Sequence, residues 1–297
     1  MRLFPPSLSP AVRRSATALA AGTALILSGC AGVPGGTAPQ TVSAPSAPAA
    51  PPALGPFVAA ANPLAVEAGM QVLARGGSAV DAAVAVQAVL GLVEPQSSGL
   101  GGGAFMMHYD ASTDEVTSYD GRETAPAAAT PDLFFEDGRP LGFGDAVLSG
   151  RSTGVPGVVA MLAMAQAEHG TLPWAALFEP AERLARDGFV VSPRLARFIA
   201  NPRGQARTPW ADAYFTGPDG TRLEAGDVLR NPAYAETLAE IAAVGAQAFY
   251  EGRIAREIVE AVQQGPRPGA LTAADLATYE PIERGALCRP YRIYVVC

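Results

Sequence analysis

Apolar side chains recur three and four positions apart along LAVEAGMQVLARGG, where Asn62 is placed as an N-cap, Pro63 opens the first turn and Gly76-Gly77 end the period. A second helix is predicted at once. Ser78 can cap it with Asp81 three residues on, an aspartate version of the capping box, and AVDAAVAVQAVLGLV is so uniformly small and apolar that it must be buried. Such small side chains imply close packing against a sheet. SGLGGG (98–103) then breaks the helical period, and AFMMHYD and EVTSYD, separated by a turn at 110–114, read as a hairpin at the edge of that sheet or within it. The loop GRSTGVPG (150–157) opens the helix VVAMLAMAQAEHG. PWAALFEPAERLARDG and PAYAETLAEIAAVGAQAFYEGRIAREIVEAVQQG read as amphipathic helical scaffold, and LTAADL (271–276) begins a short capped helix. YEPIERGALCRPYRIYVVC alternates toward strands and stops within one, so the chain is expected to be a piece of a longer polypeptide or a truncated product.

The N-terminal residues follow a different plan. Arg13-Arg14, the apolar run ATALAAGTALIL (16–27) and no acid before Cys30 describe a signal peptide over residues 1–29. The run is shorter than the ~20 residues a transmembrane helix needs. Leu27-Ser28-Gly29-Cys30 looks like a lipoprotein cleavage box, which makes Cys30 the lipid attachment site, against the plainer reading of an ordinary secretory leader. Either reading exports the chain; the lipidated one holds it at a membrane in the bacterial periplasm. Residues 30–56, rich in Pro, Ala, Gly and Ser, cannot form a core and read as a tether, leaving 57–297 as the folded region.

The chain has 297 residues, 49% of them hydrophobic, enough for a substantial core. Every one of its 21 basic residues is arginine, which excludes a lysine Schiff base and a P-loop lysine. With a net charge of −7 and no basic cluster, nucleic acid is not an expected partner. His108, His169 and the three cysteines (30, 288, 297) show no metal-ligand or redox spacing, so neither a metal nor a cofactor is expected. The two histidines read as structural, His169 at a helix end where a positive ring suits the dipole. No GxSxG elbow accompanies them. Cys288 and Cys297, on neighbouring strands, leave a disulfide and two unpaired core thiols equally open.

Two features carry chemistry. The glycine run 101–103 lets backbone approach backbone or ligand, and it frees the chain to take positive φ. It leads into a strand and lacks a GK[ST] ending, which argues against a phosphate cradle and leaves structural packing or pocket shaping. Arg122 follows the second hairpin strand in GRETAP. It is either a structural ion pair with Glu123, Asp120 or a distant acid, or a fork that holds a substrate carboxylate through two parallel hydrogen bonds.

These segments, in order RGGSAVDAAVAV, the glycine loop, GRETAP, STGVPG, LARDGF and LTAADLATYE, closely resemble the large-subunit portion of the gamma-glutamyltransferase family over residues 57–297. The resemblance implies an α+β fold of the N-terminal nucleophile hydrolase type, an αββα sandwich of which this is an incomplete part. It also implies autoproteolytic maturation, no cofactor and no metal, and a γ-glutamyl substrate such as glutathione. It favours Arg122 as the residue that binds the substrate α-carboxylate. The family nucleophile is a threonine that begins a small subunit, so no catalytic residue is assigned here, the chain's own small subunit is an implied partner, and the chain alone is expected to be inactive. A cephalosporin (glutaryl) acylase of the same family and a non-catalytic tethered binding lipoprotein are the alternatives.

Overall fold

The computed structural model describes residues 55–202 and 204–297; the leader, Cys30 and the tether up to residue 54 lie outside the described residues. The first elements are α1 (Pro63–Ala74) and α2 (Ala79–Val93), then the hairpin β1 (Ala104–Asp110) and β2 (Glu115–Gly121). A ribbon of β3 (Phe135–Glu136) and β4 (Arg139–Pro140), helix α3 (Phe143–Val147), a 3₁₀ turn at Gly150–Ser152 and α4 (Val158–His169) follow. Next come α5 (Glu179–Asp187), β5 (Phe189–Val190), α6 (Pro193–Ala200), α7 (Pro209–Tyr214), β6 (Val228–Leu229) and α8 (Pro232–Val244). The described chain closes with α9 (Gln247–Tyr250), α10 (Gly252–Gln263), α11 (Ala273–Ala277), β7 (Ile282–Gly285), β8 (Arg289–Tyr291) and β9 (Tyr294–Val296).

Local chemistry sets the helix starts. Asn62 Oδ1 accepts the Leu64 amide at 3.1 Å, and Gly76 turns the chain out of α1 at φ +85°. The box on α2 is complete: Ser78 Oγ accepts the Asp81 amide at 3.0 Å and Asp81 Oδ2 accepts the Ser78 amide at 2.9 Å. Two predicted helical stretches are interrupted. The first begins as a 3₁₀ turn at Trp174–Leu177 and becomes α-helical only in α5, which Pro180 opens without an amide to donate. The second divides into α8, α9 and α10 at Gly245 (φ +99°) and Gly252 (φ +74°), backbone states that side chains with a Cβ rarely take.

Packing departs from expectation at α2, whose main neighbours are α1, α4 and α5 rather than a sheet. Its alanines and valines admit close helix contact instead. The sheet is antiparallel in the order β1-β2-β7, with Ala104 opposite Gly121, Met106 opposite Tyr119 and His108 opposite Thr117. Helix α4 lies against β2, and Tyr119 is fully buried. The alternate face of β1 exposes Phe105, Met107 and Tyr109.

Two buried carboxylates tie the helices together. Asp81 also accepts the Thr171 and Leu172 amides at 2.8 and 3.1 Å, joining the start of α2 to the end of α4. Burial alone would push its carboxyl up, but the amides of Thr171, Ser78 and Leu172 outweigh that and hold it low. Glu94, only 2% exposed, accepts from Asn62 Nδ2 at 3.0 Å, Gln96 Nε2 at 2.6 Å and Arg194 Nη1 at 2.8 Å, which joins α1, α2 and α6. Cys288 and Cys297 form a disulfide that flanks the β8–β9 pair, and neither belongs to the hydrophobic core, so the bond is the alternative realised. Among the described residues no helix is long and apolar enough to cross a membrane.

Candidate substrate-binding site

Arg122 is the first residue beyond β2, and three segments pack around it and the residues that follow it. On one side lies the glycine loop. None of its glycines takes a left-handed φ, so the freedom anticipated for positive φ is not used. Close approach is used instead, and at Gly103: a Cβ there would fall 2.5 Å from Glu123 Oε2 and 2.8 Å from the Glu123 amide nitrogen, whereas Gly102 has room. Gly102 contributes through its carbonyl, which accepts the Gly157 and Val158 amides at 3.0 and 3.1 Å. Helix α4 has no capping side chain, and this carbonyl takes that place.

The 150–157 loop forms the second wall. Its Val155 amide donates to the Thr124 carbonyl at 2.8 Å, pinning the chain just after Arg122. The third wall is α11 and the residues after it. Asp275 Oδ1 accepts the Ala127 amide at 2.9 Å while Oδ2 receives the Thr272 amide and hydroxyl at 2.8 and 2.7 Å, and these bonds hold its carboxyl below the usual range. Between the second and third walls, two residues past Arg122, runs a cleft of about 360 Å³ bordered by Thr124, Val155, Asp275 and Tyr279.

The Arg122 side chain is 57% exposed and its Nη1 reaches Glu123 Oε2 at 3.1 Å. That oxygen is buried and makes no aligned hydrogen bond, so the contact is one of charge, and more than half of the arginine side chain remains exposed. The ion pair weighed for this arginine is therefore present together with an accessible fork. A group of this kind, on a rigid strand end beside a cleft, can take a carboxylate through two parallel N–H donors. Among the described residues no group of three His, Cys, Asp or Glu side chains is arranged to hold a metal ion.

Residues 65–297 match the family model for gamma-glutamyltranspeptidase. The chain belongs to the gamma-glutamyltranspeptidase family. It is 41% identical over 226 residues to a glutathione hydrolase proenzyme of Bacillus subtilis, covering 75% of this chain and 38% of that protein. It is 36% identical over 248 residues to the Escherichia coli glutathione hydrolase proenzyme, covering 81% of this chain and 41% of that one. The chain thus spans about two fifths of these curated relatives. Among solved structures, Helicobacter pylori gamma-glutamyltranspeptidase superposes with a TM-score of 0.75 at 31% identity, over 81% of this chain and 68% of that one. A cephalosporin acylase from Bacillus halodurans gives 0.66 at 30% identity, over 82% and 48%. The fold class is accordingly that of the N-terminal nucleophile hydrolases, as the resemblance implied.

Within this gamma-glutamyltranspeptidase fold the histidines form a cluster that their sequence positions did not announce. The His108 and His169 rings stack at 3.8 Å, and the buried Tyr119 hydroxyl lies 2.6 Å from Glu168 Oε2 and 2.7 Å from His169 Nε2. With the phenol proton donated to Glu168, His169 donates to the phenol oxygen. Burial and the facing His169 lower the affinity of His108 for a proton, against the opposing pull of Asp110 and Glu168; Glu283 of β7 adds negative charge near Tyr119. Since the folded chain binds this proton less readily than the unfolded one, the stack contributes stability that is present above the usual histidine pKa of about 6.5 and is lost as pH falls through the lower folded value. His108→Phe, which keeps the stack without titrating, is expected to flatten the fall in melting temperature between about pH 6.5 and 5. Parallel melting curves for the two proteins over that window would rule this out.

Proposed function

We propose that this chain is the large-subunit portion of a γ-glutamyltransferase or glutathione hydrolase, in which Arg122 binds the substrate's α-carboxylate. The observation that carries the reading is the accessible guanidinium of Arg122, fixed at a strand end beside a cleft, within a family match that spans residues 65–297. A γ-glutamyl amide such as glutathione presents its α-carboxylate to the outer edge of the fork, while Glu123 steadies the opposite side. The amide carbonyl then lies toward polypeptide that follows residue 297, where a threonine attacks it, expels the amine and passes the glutamyl group to water or to an acceptor amine. The coverage of about two fifths of relatives named proenzymes supports this division of labour. The leader supports export to the periplasm and a lipid on Cys30.

The test is to express the complete reading frame and assay glutathione hydrolysis, with two subunits sought on a gel and the Cys30 modification sought by mass spectrometry. Two bands with activity support the enzyme; one inert band favours the tethered binding lipoprotein. The acylase neighbour favours a second reading, a glutaryl acylase. Hydrolysis of a glutaryl amide in preference to the γ-glutamyl amide selects it.

A further inference from the structure

The peptide groups on both sides of the Arg122 Cα are each held by a side chain. Its amide donates to Asp120 Oδ1 at 3.0 Å, and Asp120 Oδ2 accepts from Arg284 Nε of β7 at 2.9 Å. Its carbonyl accepts the Tyr279 hydroxyl at 2.8 Å. The Tyr279 ring is itself fixed, lying parallel to Tyr250 at 5.7 Å with an interplanar angle of 6°, and the Tyr250 hydroxyl accepts the Ala160 amide of α4 at 3.1 Å. Gly157 has no side chain because one would collide with the Tyr279 hydroxyl and the Gly121 carbonyl.

A residue that follows the end of a strand has no ladder bonds to hold its peptide groups, so its side chain would swing with the backbone. Here both groups are anchored, each to a different element, one beyond α11 and one in β7. We propose that Tyr279 and the Asp120–Arg284 pair are positioning residues for Arg122, setting the direction of its fork and hence the affinity for an α-carboxylate that Arg122 itself binds. The supporting charges agree. The Arg122 amide, with Arg284, holds Asp120 in its ionised form, and burial with the nearby Asp120 and Glu123 charges keeps the Tyr279 phenol protonated and able to donate.

This rests on Arg122 being the carboxylate clamp, and the experiment separates the two claims. In the complete protein, L-glutamate and 4-aminobutyrate, which lacks the α-carboxylate, are titrated calorimetrically, and KM and kcat are measured with a γ-glutamyl anilide. Tyr279→Phe keeps the ring stack and removes the hydroxyl. It is expected to weaken L-glutamate binding and raise KM about 5-fold, with kcat unchanged, the melting temperature lowered by no more than the roughly 2–4 °C that one neutral hydrogen bond accounts for, and 4-aminobutyrate unaffected. Arg284→Ala, on the exposed edge strand, should shift the same quantities in the same direction. In an Arg122→Ala background neither change should have a further effect. If Arg122→Ala weakens L-glutamate binding while Tyr279→Phe and Arg284→Ala do not, the positioning role is wrong and the clamp stands. If the three act equally on both ligands, or chiefly on kcat or melting, the role is merely structural. A wild-type protein that binds neither ligand, or an Arg122→Ala variant that binds both normally, overturns the clamp and the positioning role with it.

Discussion

In the complete protein, Arg122→Ala is expected to raise KM for γ-glutamyl donors roughly 10- to 100-fold while leaving kcat within a few-fold. A hydrogen bond to a charged partner contributes about 1.5–3 kcal/mol, and each 1.4 kcal/mol is tenfold in affinity. On the proposed reading the α-carboxylate is remote from the scissile amide and is held alike in ground and transition states, so loss of its clamp should appear in KM rather than in turnover. Arg122→Lys should fall between wild type and alanine, because an ammonium keeps the charge and loses the two-pronged geometry. The Arg122 guanidinium already touches Glu123 at 3.1 Å, so alanine also strands that carboxylate, whose Oε2 is buried without an aligned donor. Glu123→Gln in the alanine background isolates this cost by restoring stability without restoring affinity. Steady-state kinetics with a γ-glutamyl anilide decide the matter; an unchanged KM would falsify the assignment.

The second large effect is on folding. Gly157→Ala places a Cβ against both the Tyr279 hydroxyl and the Gly121 carbonyl, and neither can retreat easily, the one fixed by its stack on Tyr250 and the other by its strand. Overpacking of this kind is expected to destabilise by about 3 kcal/mol. For a folded unit of this size that lowers the melting temperature by roughly 6–12 °C. Adding Tyr279→Phe removes the contact with the hydroxyl but leaves the ring Cζ 2.6 Å from the new Cβ, so it should recover only a small part of the loss. Thermal melts of the single and double variants measure the coupling, and a Gly157→Ala protein that melts with wild type would show that α4 can shift away from β2 freely.

How far these features could be read from the chain depended on the range of the interaction. Asn62 with Leu64, and Ser78 with Asp81, act within one turn, and the hairpin around residue 110 is written in its alternation. Arg122 stood out because the glycine loop, the strand and GRETAP are contiguous. Tyr279 and Arg284 did not, since they meet Arg122 and Asp120 across 157 and 164 residues and resemble ordinary surface positions in sequence. The His108–His169 stack likewise joins a strand to a helix end, and two isolated histidines give no sign of it. The glycine run misled in one respect. A Gly-rich segment signals either unusual φ or tight packing, and only the position of Glu123 against Gly103 shows that packing is the reason. For α2, small side chains suit a sheet or a helix as neighbour, so composition could not choose between them.

The bond between Cys288 and Cys297 gives the terminal hairpin a memory of where it was made. Such crosslinks form in oxidising compartments and stay open where glutathione and thioredoxin keep thiols reduced. Neither sulfur belongs to the core, so the pair remains open to exchange after folding. Protein made in an oxidising compartment should therefore yield no titratable thiol at these two positions, whereas the same chain made in a reducing cytoplasm should yield two. The redox state of these two sulfurs thus tells an oxidising compartment from a reducing one without any assay of activity.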